Sequence, residues 1–130
     1  MIKFTENIKQ LWIAGLRDPE VVQTTGALCE EKEGKLCYCG IGVLGKVLLE
    51  AGVAKTKGYA QVEVYNLYGD DPDYLMDAYD IIYKVQHTDD SKKAVTGPSL
   101  TGAIATMNDK EGKTLPEIAD WIETYVKVEE

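Results

Sequence analysis

Residues 40–49 are the most apolar stretch of the chain, and they constrain its fold more than any other segment. Aliphatic side chains occupy almost every turn of this stretch, and Lys46 is its one charged residue. A helix that is apolar on all sides has to be buried. The sequence therefore predicts a mostly buried helix that ends at Gly52. The glycines at its start, Gly40 and Gly42, favour close approach of another backbone.

Four further helices are predicted from apolar spacing and capping signals. The first is capped by Thr5 and runs to about Leu16. The last is the clearest, because Thr114 and Glu117 have the spacing of a capping box. Between them the sequence predicts helices over residues 72–85 and 98–107, with a turn at residues 108–113.

The β-branched and alternating segments predict a small sheet. Residues 21–29 and 36–39 are typical of two strands joined by a charged turn around Gly34, which indicates a hairpin. Residues 59–68 alternate apolar and polar side chains and predict a half-buried strand. We expect one domain, residues 1–130, of the α+β class, with about four to five helices and a small, mainly antiparallel sheet of two to four strands.

The charge balance restricts the partners. The chain carries 22 acidic and 14 basic residues, for a net charge of −8. This balance argues against direct binding of nucleic acid and of anionic membranes, both of which require clustered Lys and Arg. No apolar run approaches the ~18 residues of a membrane span, and the start of the chain has no signal-peptide pattern. A basic protein surface remains open as a partner, and so does a small ligand held in a local pocket.

The three cysteines predict thiols packed in the interior. The zinc alternative uses Cys29, Cys37 and Cys39, with His87 as the available fourth ligand. Two thiols two residues apart on one strand lie roughly 6.5 Å apart, so such a site requires a bend in the backbone. The string from Gly40 to Gly45 matches a dinucleotide-binding pattern, but the required βαβ unit does not follow it, and no cofactor is predicted.

A cysteine-dependent enzyme is an alternative. Cys39 precedes a predicted helix, whose N-terminus lowers the pKa of a thiol. His87 is the only histidine and therefore the only available base of this type. A cysteine and a histidine with no family-specific signature around either make a weak pair, and we predict a protein that is not an enzyme.

The best candidate interface is a cluster of acidic and aromatic residues in the middle third. Tyrosine gives a large contact area at small entropic cost, and aspartates suit a basic partner. Spacing of i, i+4 and i+7 places Asp73, Asp77 and Asp80 on one helix face. The predicted partner-binding residues are Tyr65, Tyr68, Asp70, Asp71, Asp73, Tyr74, Asp77 and Asp80. The alternative is that the tyrosines are core and cross-strand packing and the aspartates a solvated face.

Two parts of the chain resemble a family of small phage and prophage proteins. The family pattern is Trp-x-x-Ala-Leu-Arg, Gln-x-x-Gly-x-Leu, Tyr-Cys-Cys-Leu-Gly-Val-Leu-Cys, then Leu-Asn-Asp and a closing helix. The matching segments here are residues 11–17, 23–28, 38–44, 107–109 and 114–123. Gly40 and Gly45 stand where the family has its second and third cysteines, which puts a metal or redox role in doubt. Residues 59–95 have no counterpart and are a candidate family-specific insertion.

The resemblance implies a phage gene and life in the cytoplasm of a bacterial host. With no catalytic set apparent, we expect an accessory protein that binds and inhibits a host component, such as one of its defence systems. The alternatives are sequestration of a small nucleotide signal, the cysteine enzyme built on Cys39 and His87, and an assembly protein of the virion.

Overall fold

The computed structural model describes residues 3–53, 78, 81–83, 85, 87–89 and 100–128. Within these residues the chain forms an α+β fold, which confirms the predicted class. The elements are α1 (Glu6–Arg17), β1 (Val22–Gln23), β2 (Cys29–Lys32), β3 (Lys35–Tyr38), α2 (Gly40–Glu50), α3 (Leu100–Asp109) and α4 (Leu115–Tyr125). Residues 78 and 81–83 are also helical, in agreement with the helix predicted there.

Helix α2 is the central element, as its composition predicts. Every residue from Gly40 to Gly45 is buried, and so are Val47 and Leu48. Helix α1 packs against both α2 and α4, and α3 packs against α2. The largest side chains with almost no exposure come from all four helices and from two positions outside them: Trp12, Phe4, Leu16, Leu44, Leu48, Ile82, Leu100, Ile104, Met107 and Ile118. The core is therefore a helical cluster around α2.

The helix ends follow the local signals in the sequence. Thr5 caps α1 by accepting a hydrogen bond from the amide of Ile8. Gly52 has φ +76° and donates to the Leu49 carbonyl, while Val53 donates to the Leu48 carbonyl, which together form a Schellman motif after α2. At α4, the side chains of Thr114 and Glu117 each accept a hydrogen bond from the other's backbone amide, which confirms the capping box.

The sheet differs from the predicted hairpin over residues 21–39. Its order is β1-β3-β2, and the hairpin consists of β2 and β3, joined at Glu33 and Gly34. Both turn residues have positive φ, 52° and 79°, as a type I′ turn requires. Strand β1 pairs with β3 in parallel, not as the other arm of a hairpin. The segment after Gln23 therefore has to cross over before it enters the sheet again as β2.

Several predictions lie outside the described residues. These are the strand at residues 59–68 and the start of the helix over residues 72–85. Among the residues that the structure describes, no helix combines the length and the apolar character needed to cross a membrane. Helix α3 extends to Asp109, so Asn108 belongs to its last turn and not to the turn predicted at residues 108–113.

Candidate functional site

Asn108 joins segments of the chain that are far apart in the sequence. Its side chain is in the last turn of α3 and is 1% exposed. The Oδ1 atom accepts hydrogen bonds from Nε2 of Gln23 at 2.8 Å and from the amide of Gly40 at 3.1 Å. The Nδ2 atom donates to the carbonyl of Thr24 at 2.8 Å and to Oδ1 of Asp109 at 2.7 Å. All four hydrogen-bonding positions of this amide are thus occupied.

The network continues on both sides of Asn108. Gln23 also donates to the carbonyl of Lys113 at 2.8 Å, which fixes the loop between α3 and α4. Asp109 accepts from the amide of Gly26 at 3.2 Å, and this contact holds the loop between β1 and β2. Trp12 donates its indole N–H to the carbonyl of Gly40 at 2.8 Å. Gly40, at the start of α2, therefore has its carbonyl bound from α1 and its amide bound from α3.

This network has the character of a structural site. Its buried hub is an amide, which does not titrate and offers no proton for catalysis. Its donors and acceptors are paired with one another, so they position β1, α2 and α3 relative to one another. Trp12, Gln23, Gly26 and Asn108 therefore stabilise the fold through these contacts.

A polar contact next to the network ties Thr24, the residue after β1, to β2. The hydroxyl of Thr24 donates to the carboxylate of Glu30, which also pairs with Lys32 at 3.2 Å. The Thr24 hydroxyl and the Lys32 ammonium lower the pKa of Glu30. The carboxylate is therefore held in its charged form, which suits a bridging role and does not suit a general acid.

Cys39 does not have the properties of an activated nucleophile. It is the N-cap of α2, and its Sγ accepts from the amide of Gly42 at 3.4 Å. Burial raises the pKa of the thiol to about 11, although the amides of Gly42 and Ile41 act in the opposite direction. The lowered pKa expected from the helix N-terminus is therefore wrong, because the loss of hydration outweighs the helix dipole.

His87 does not assist Cys39. Its backbone forms an antiparallel bridge with Val126, and its ring contacts Trp121 with the centroids 5.0 Å apart. Within the part of the chain that the structure describes, neither ring nitrogen has a hydrogen-bond partner. Cys39 caps α2, whereas His87 lies against the end of α4, so no thiol–imidazole hydrogen bond exists between them.

The zinc alternative also fails. Cys29 lies directly opposite Tyr38, whereas Cys37 lies opposite Glu30. Directly opposed residues share a face and successive residues alternate, so Cys29 and Cys37 lie on opposite faces of the hairpin. Cys39 is beyond the end of β3. The three thiols are free and buried, and no group of three or more His, Cys, Asp or Glu among the described residues could hold a metal ion.

A family model described as a domain of unknown function, DUF8296, matches residues 4–126. The chain belongs to this family. No curated protein and no solved structure matches the chain. Membership in DUF8296 identifies no enzyme family, and the matched range contains the whole Asn108 network.

The predicted partner-binding residues of this DUF8296 protein lie outside the described residues. They are Tyr65, Tyr68, Asp70, Asp71, Asp73, Tyr74, Asp77 and Asp80. Tyr83, from the same tyrosine-rich stretch, is described and is 57% exposed. It immediately follows Ile81 and Ile82, which are buried in the core. The alternative that the tyrosines of this stretch pack in the core therefore does not hold for Tyr83.

Sequence reasoning missed Lys9. Its side chain is 9% exposed, and its ammonium donates to the carbonyl of Val126 at 2.6 Å. A cation at this point is favourable, because the carbonyls at the end of α4 carry the negative end of the helix dipole. The signal was present in the sequence: Lys9 precedes Trp12, Ile13 and Leu16 by three, four and seven residues, the spacing of one helix face.

Proposed function

We propose that this protein is a non-enzymatic, phage-encoded accessory protein that binds and inhibits a host component in the bacterial cytoplasm. The contact is made by the acidic and tyrosine-rich middle third of the chain, and the partner presents a basic surface. A component of a host defence system fits this role. The observation that carries the proposal is the exposed Tyr83 next to a helical face that is buried in the core.

The exposure of Tyr83 supports a binding helix. Ala78, Ile81 and Ile82 are 0%, 7% and 0% exposed, whereas Tyr83 is 57% exposed. A helix with one buried side presents its other side to solvent. On the helical period, the sequence predicts Asp73, Asp77 and Asp80 on a stripe beside the buried face. A large aromatic ring among carboxylates suits a contact with lysines and arginines.

The distribution of charge supports a basic partner. Residues 58–83 contain six carboxylates and no lysine or arginine. An unbalanced acidic segment attracts a basic surface over a distance of about one Debye length, ~8 Å at physiological ionic strength. Complementary charge also speeds association and rejects acidic competitors. The same charge disfavours a nucleotide, whose phosphates would be repelled.

The described residues offer no competing chemistry. The Cys39 thiol is buried and its pKa is raised to about 11, so its reactive thiolate is scarce at neutral pH. The Asn108 network consists of mutually paired polar groups. These features support a binding role over the cysteine enzyme.

The test compares two matched charge reversals. One protein carries Asp73→Lys, Asp77→Lys and Asp80→Lys, and the control carries Glu20→Lys, Glu31→Lys and Glu33→Lys at exposed positions of the described surface. Each triple changes three carboxylates into three ammonium groups, so the change in net charge is identical. A host protein is first captured with the wild-type chain, purified, and then titrated against all three proteins by calorimetry.

We expect the first triple to weaken binding by about a hundredfold and the control by less than about threefold. Wild-type affinity should also fall as salt is raised. Equal losses in both triples would mean that net charge alone drives binding, and the proposed surface would be wrong. Release of a nucleotide from the denatured wild-type protein would instead support sequestration of a small signal.

A further inference from the structure

The helical segment that carries Tyr83 is fastened at its end to α3 and α4. We define the strap as Val85 together with His87–Asp89, which follow this segment in the chain. The Val85 amide donates to the carbonyl of Ile82 at 3.1 Å, the bond with which the segment ends. The Val85 carbonyl accepts from the amide of Leu100, the first residue of α3, at 3.1 Å. The exposed tyrosine is therefore followed closely by a fixed point of the backbone.

Trp121 of α4 holds the far end of the strap. Its indole N–H donates to Oδ2 of Asp89 at 2.8 Å, and its ring contacts the ring of His87 with the centroids 5.0 Å apart. The amide and the hydroxyl of Thr88 both donate to the carbonyl of Tyr125, at 3.0 and 3.3 Å. Three consecutive strap residues are thus bound to the last turns of α4.

The hydrogen bond between Trp121 and Asp89 is the strongest of these contacts. Its acceptor is a carboxylate, and hydrogen bonds to charged groups are roughly twice as strong as those between neutral groups. The donor is rigidly placed, because the indole is 9% exposed and its ring also contacts that of Tyr125 with the centroids 5.7 Å apart. Loss of this one N–H therefore loosens the strap more than the loss of any other single contact.

A partner that binds the exposed side of the segment requires it in one orientation. Ordering a loose segment during binding costs conformational entropy, and a segment that is already held in place avoids this cost. Apparent affinity also falls in proportion to the fraction of the protein that is in the binding arrangement. Since the strap fixes the end of the segment in the free protein, the contacts that hold the strap also control the affinity for the partner.

We propose that Trp121 is a positioning residue for the partner contact. Through its bond to Asp89 it holds the strap on α4, and the strap keeps the segment with Tyr83 in the orientation that meets the basic partner. Trp121 is buried, so it acts through the strap and not by touching the partner. This role rests on the proposed function, because the contact that it supports is the one made by the middle third of the chain.

The first test uses the free protein. Trp121→Phe keeps an aromatic ring at this position and removes the N–H that donates to Asp89. Hydrogen exchange followed by NMR should show protection about tenfold lower at the Thr88 amide and at least about threefold lower at the Val85 amide, which is further from the lost bond. Unchanged protection at Val85 would overturn the proposal, because the strap would then not transmit the change toward Tyr83.

The matched control is Trp12→Phe. It also removes an indole hydrogen bond, the one donated to the Gly40 carbonyl in the core at 2.8 Å, at a site away from the strap. The control should leave protection of the Thr88 and Val85 amides unchanged. An equal loss of protection in the two variants would mean general loosening of the fold, and the specific role of Trp121 would be wrong.

The second test measures affinity for the host protein captured with the wild-type chain, by calorimetry. Trp121→Phe should weaken binding by about threefold to tenfold, and Trp12→Phe by less than about twofold. If Trp121→Phe has no effect while the triple reversal at Asp73, Asp77 and Asp80 weakens binding, the role of Trp121 alone is wrong. If the triple reversal has no effect, the proposed function is wrong, and the role of Trp121 falls with it.

A disulfide across the strap provides the rescue. His87 and Val126 form an isolated antiparallel bridge. The Thr88 amide bonds to the Tyr125 carbonyl beside it, so the bridged residues are a non-hydrogen-bonded pair, with Cα atoms about 4.5 Å apart. A disulfide spans this distance. In the triple variant Trp121→Phe, His87→Cys, Val126→Cys, the oxidised form should bind the captured protein at least about threefold more tightly than the reduced form.

The oxidised and reduced forms of this triple variant differ only in whether the strap is tied to the end of α4. The side-chain replacements themselves therefore cancel in the comparison. A tighter oxidised form supports the role of the strap in positioning the segment with Tyr83. Equal affinity of the two forms would contradict it.

Discussion

The side chain of Asn108, in α3, accepts a hydrogen bond from the backbone amide of Gly40, the first residue of α2, at 3.1 Å. This bond connects two residues that are 68 positions apart in the sequence. The same carbonyl oxygen of Asn108 also accepts from the side chain of Gln23, which belongs to β1. One buried amide therefore holds the central helix, α3 and β1 in a fixed arrangement, and its removal should be costly.

We expect Asn108→Ala to lower the free energy of unfolding by about 2–4 kcal/mol, because it leaves the Gly40 amide without its acceptor and the Thr24 carbonyl without its side-chain donor, and takes one of two acceptors from Gln23. Urea denaturation measures this change. The matched control is Asn7→Ala, at an exposed position of α1, where the effect should stay within about 0.5 kcal/mol. A loss below about 1 kcal/mol for Asn108→Ala would show that water replaces the amide.

Glycines 40 and 42 should respond differently to alanine. A Cβ at Gly42 would lie 1.8 Å from the carbonyl oxygen of Leu28, whereas a Cβ at Gly40 would lie 2.8 Å from a methyl group of Ile104. The Leu28 oxygen cannot move without displacing the backbone that leads into β2, whereas the Ile104 side chain can shift without moving its backbone. Gly42→Ala should therefore destabilise by more than about 3 kcal/mol, and Gly40→Ala by clearly less. Thermal unfolding of the two variants gives the order, and the reverse order would contradict this interpretation.

Alkaline conditions should destabilise the protein through Cys39. Its pKa is raised from an ordinary 9.0 to about 11. The folded state therefore keeps a proton that the unfolded state loses, and the stabilising contribution is complete below pH 9.0 and disappears as pH rises through about 11. The loss is on the order of 2 kcal/mol.

The variant Cys39→Ser isolates this effect, because serine also caps a helix and does not titrate in this range. The difference in unfolding free energy between wild type and variant, followed from pH 8 to pH 11, should change with pH as stated. A constant difference would mean that the thiol is hydrated. The same variant tests the cysteine-enzyme alternative, since an inhibitor should keep its biological activity.

Loss of the Thr114 cap should weaken α4. Thr114→Ala should lower the free energy of unfolding by about 1 kcal/mol, the usual value for a threonine cap, and Thr25→Ala, at an exposed loop position, is the control.

The Thr114 amide and side chain lower the pKa of Glu117. The contribution of the Glu117 carboxylate is thus present above its ordinary pKa of about 4.5 and is lost as pH falls. Wild type and Glu117→Gln should therefore converge in stability at acidic pH, as measured by circular dichroism.

The sequence predicts the helices well, the sheet only in part, and the chemistry of the cysteines poorly. The caps at Thr5 and Thr114 and the Schellman end at Gly52 depend on neighbours within a few residues, so local patterns suffice for them. The parallel pairing of β1 with β3 requires the chain to cross over between β1 and β2. No local pattern indicates this crossover, because a β-branched segment next to a turn favours a hairpin. The pKa of the Cys39 thiol was predicted wrongly, because it depends on burial, which spacing along the sequence does not reveal.

By itself, the sequence determined where α1, α2 and α4 form, that α2 is central, and which residues cap these three helices, because periodicity and capping act over one or two turns. It also determined the acidic, tyrosine-rich character of the middle third. Tertiary structure alone decided that Asn108 holds α2, that Cys29 and Cys37 lie on opposite faces, and that burial raises the pKa of the Cys39 thiol. These properties arise where distant residues exclude water together, and the free energy of a buried polar group is set by that shared environment.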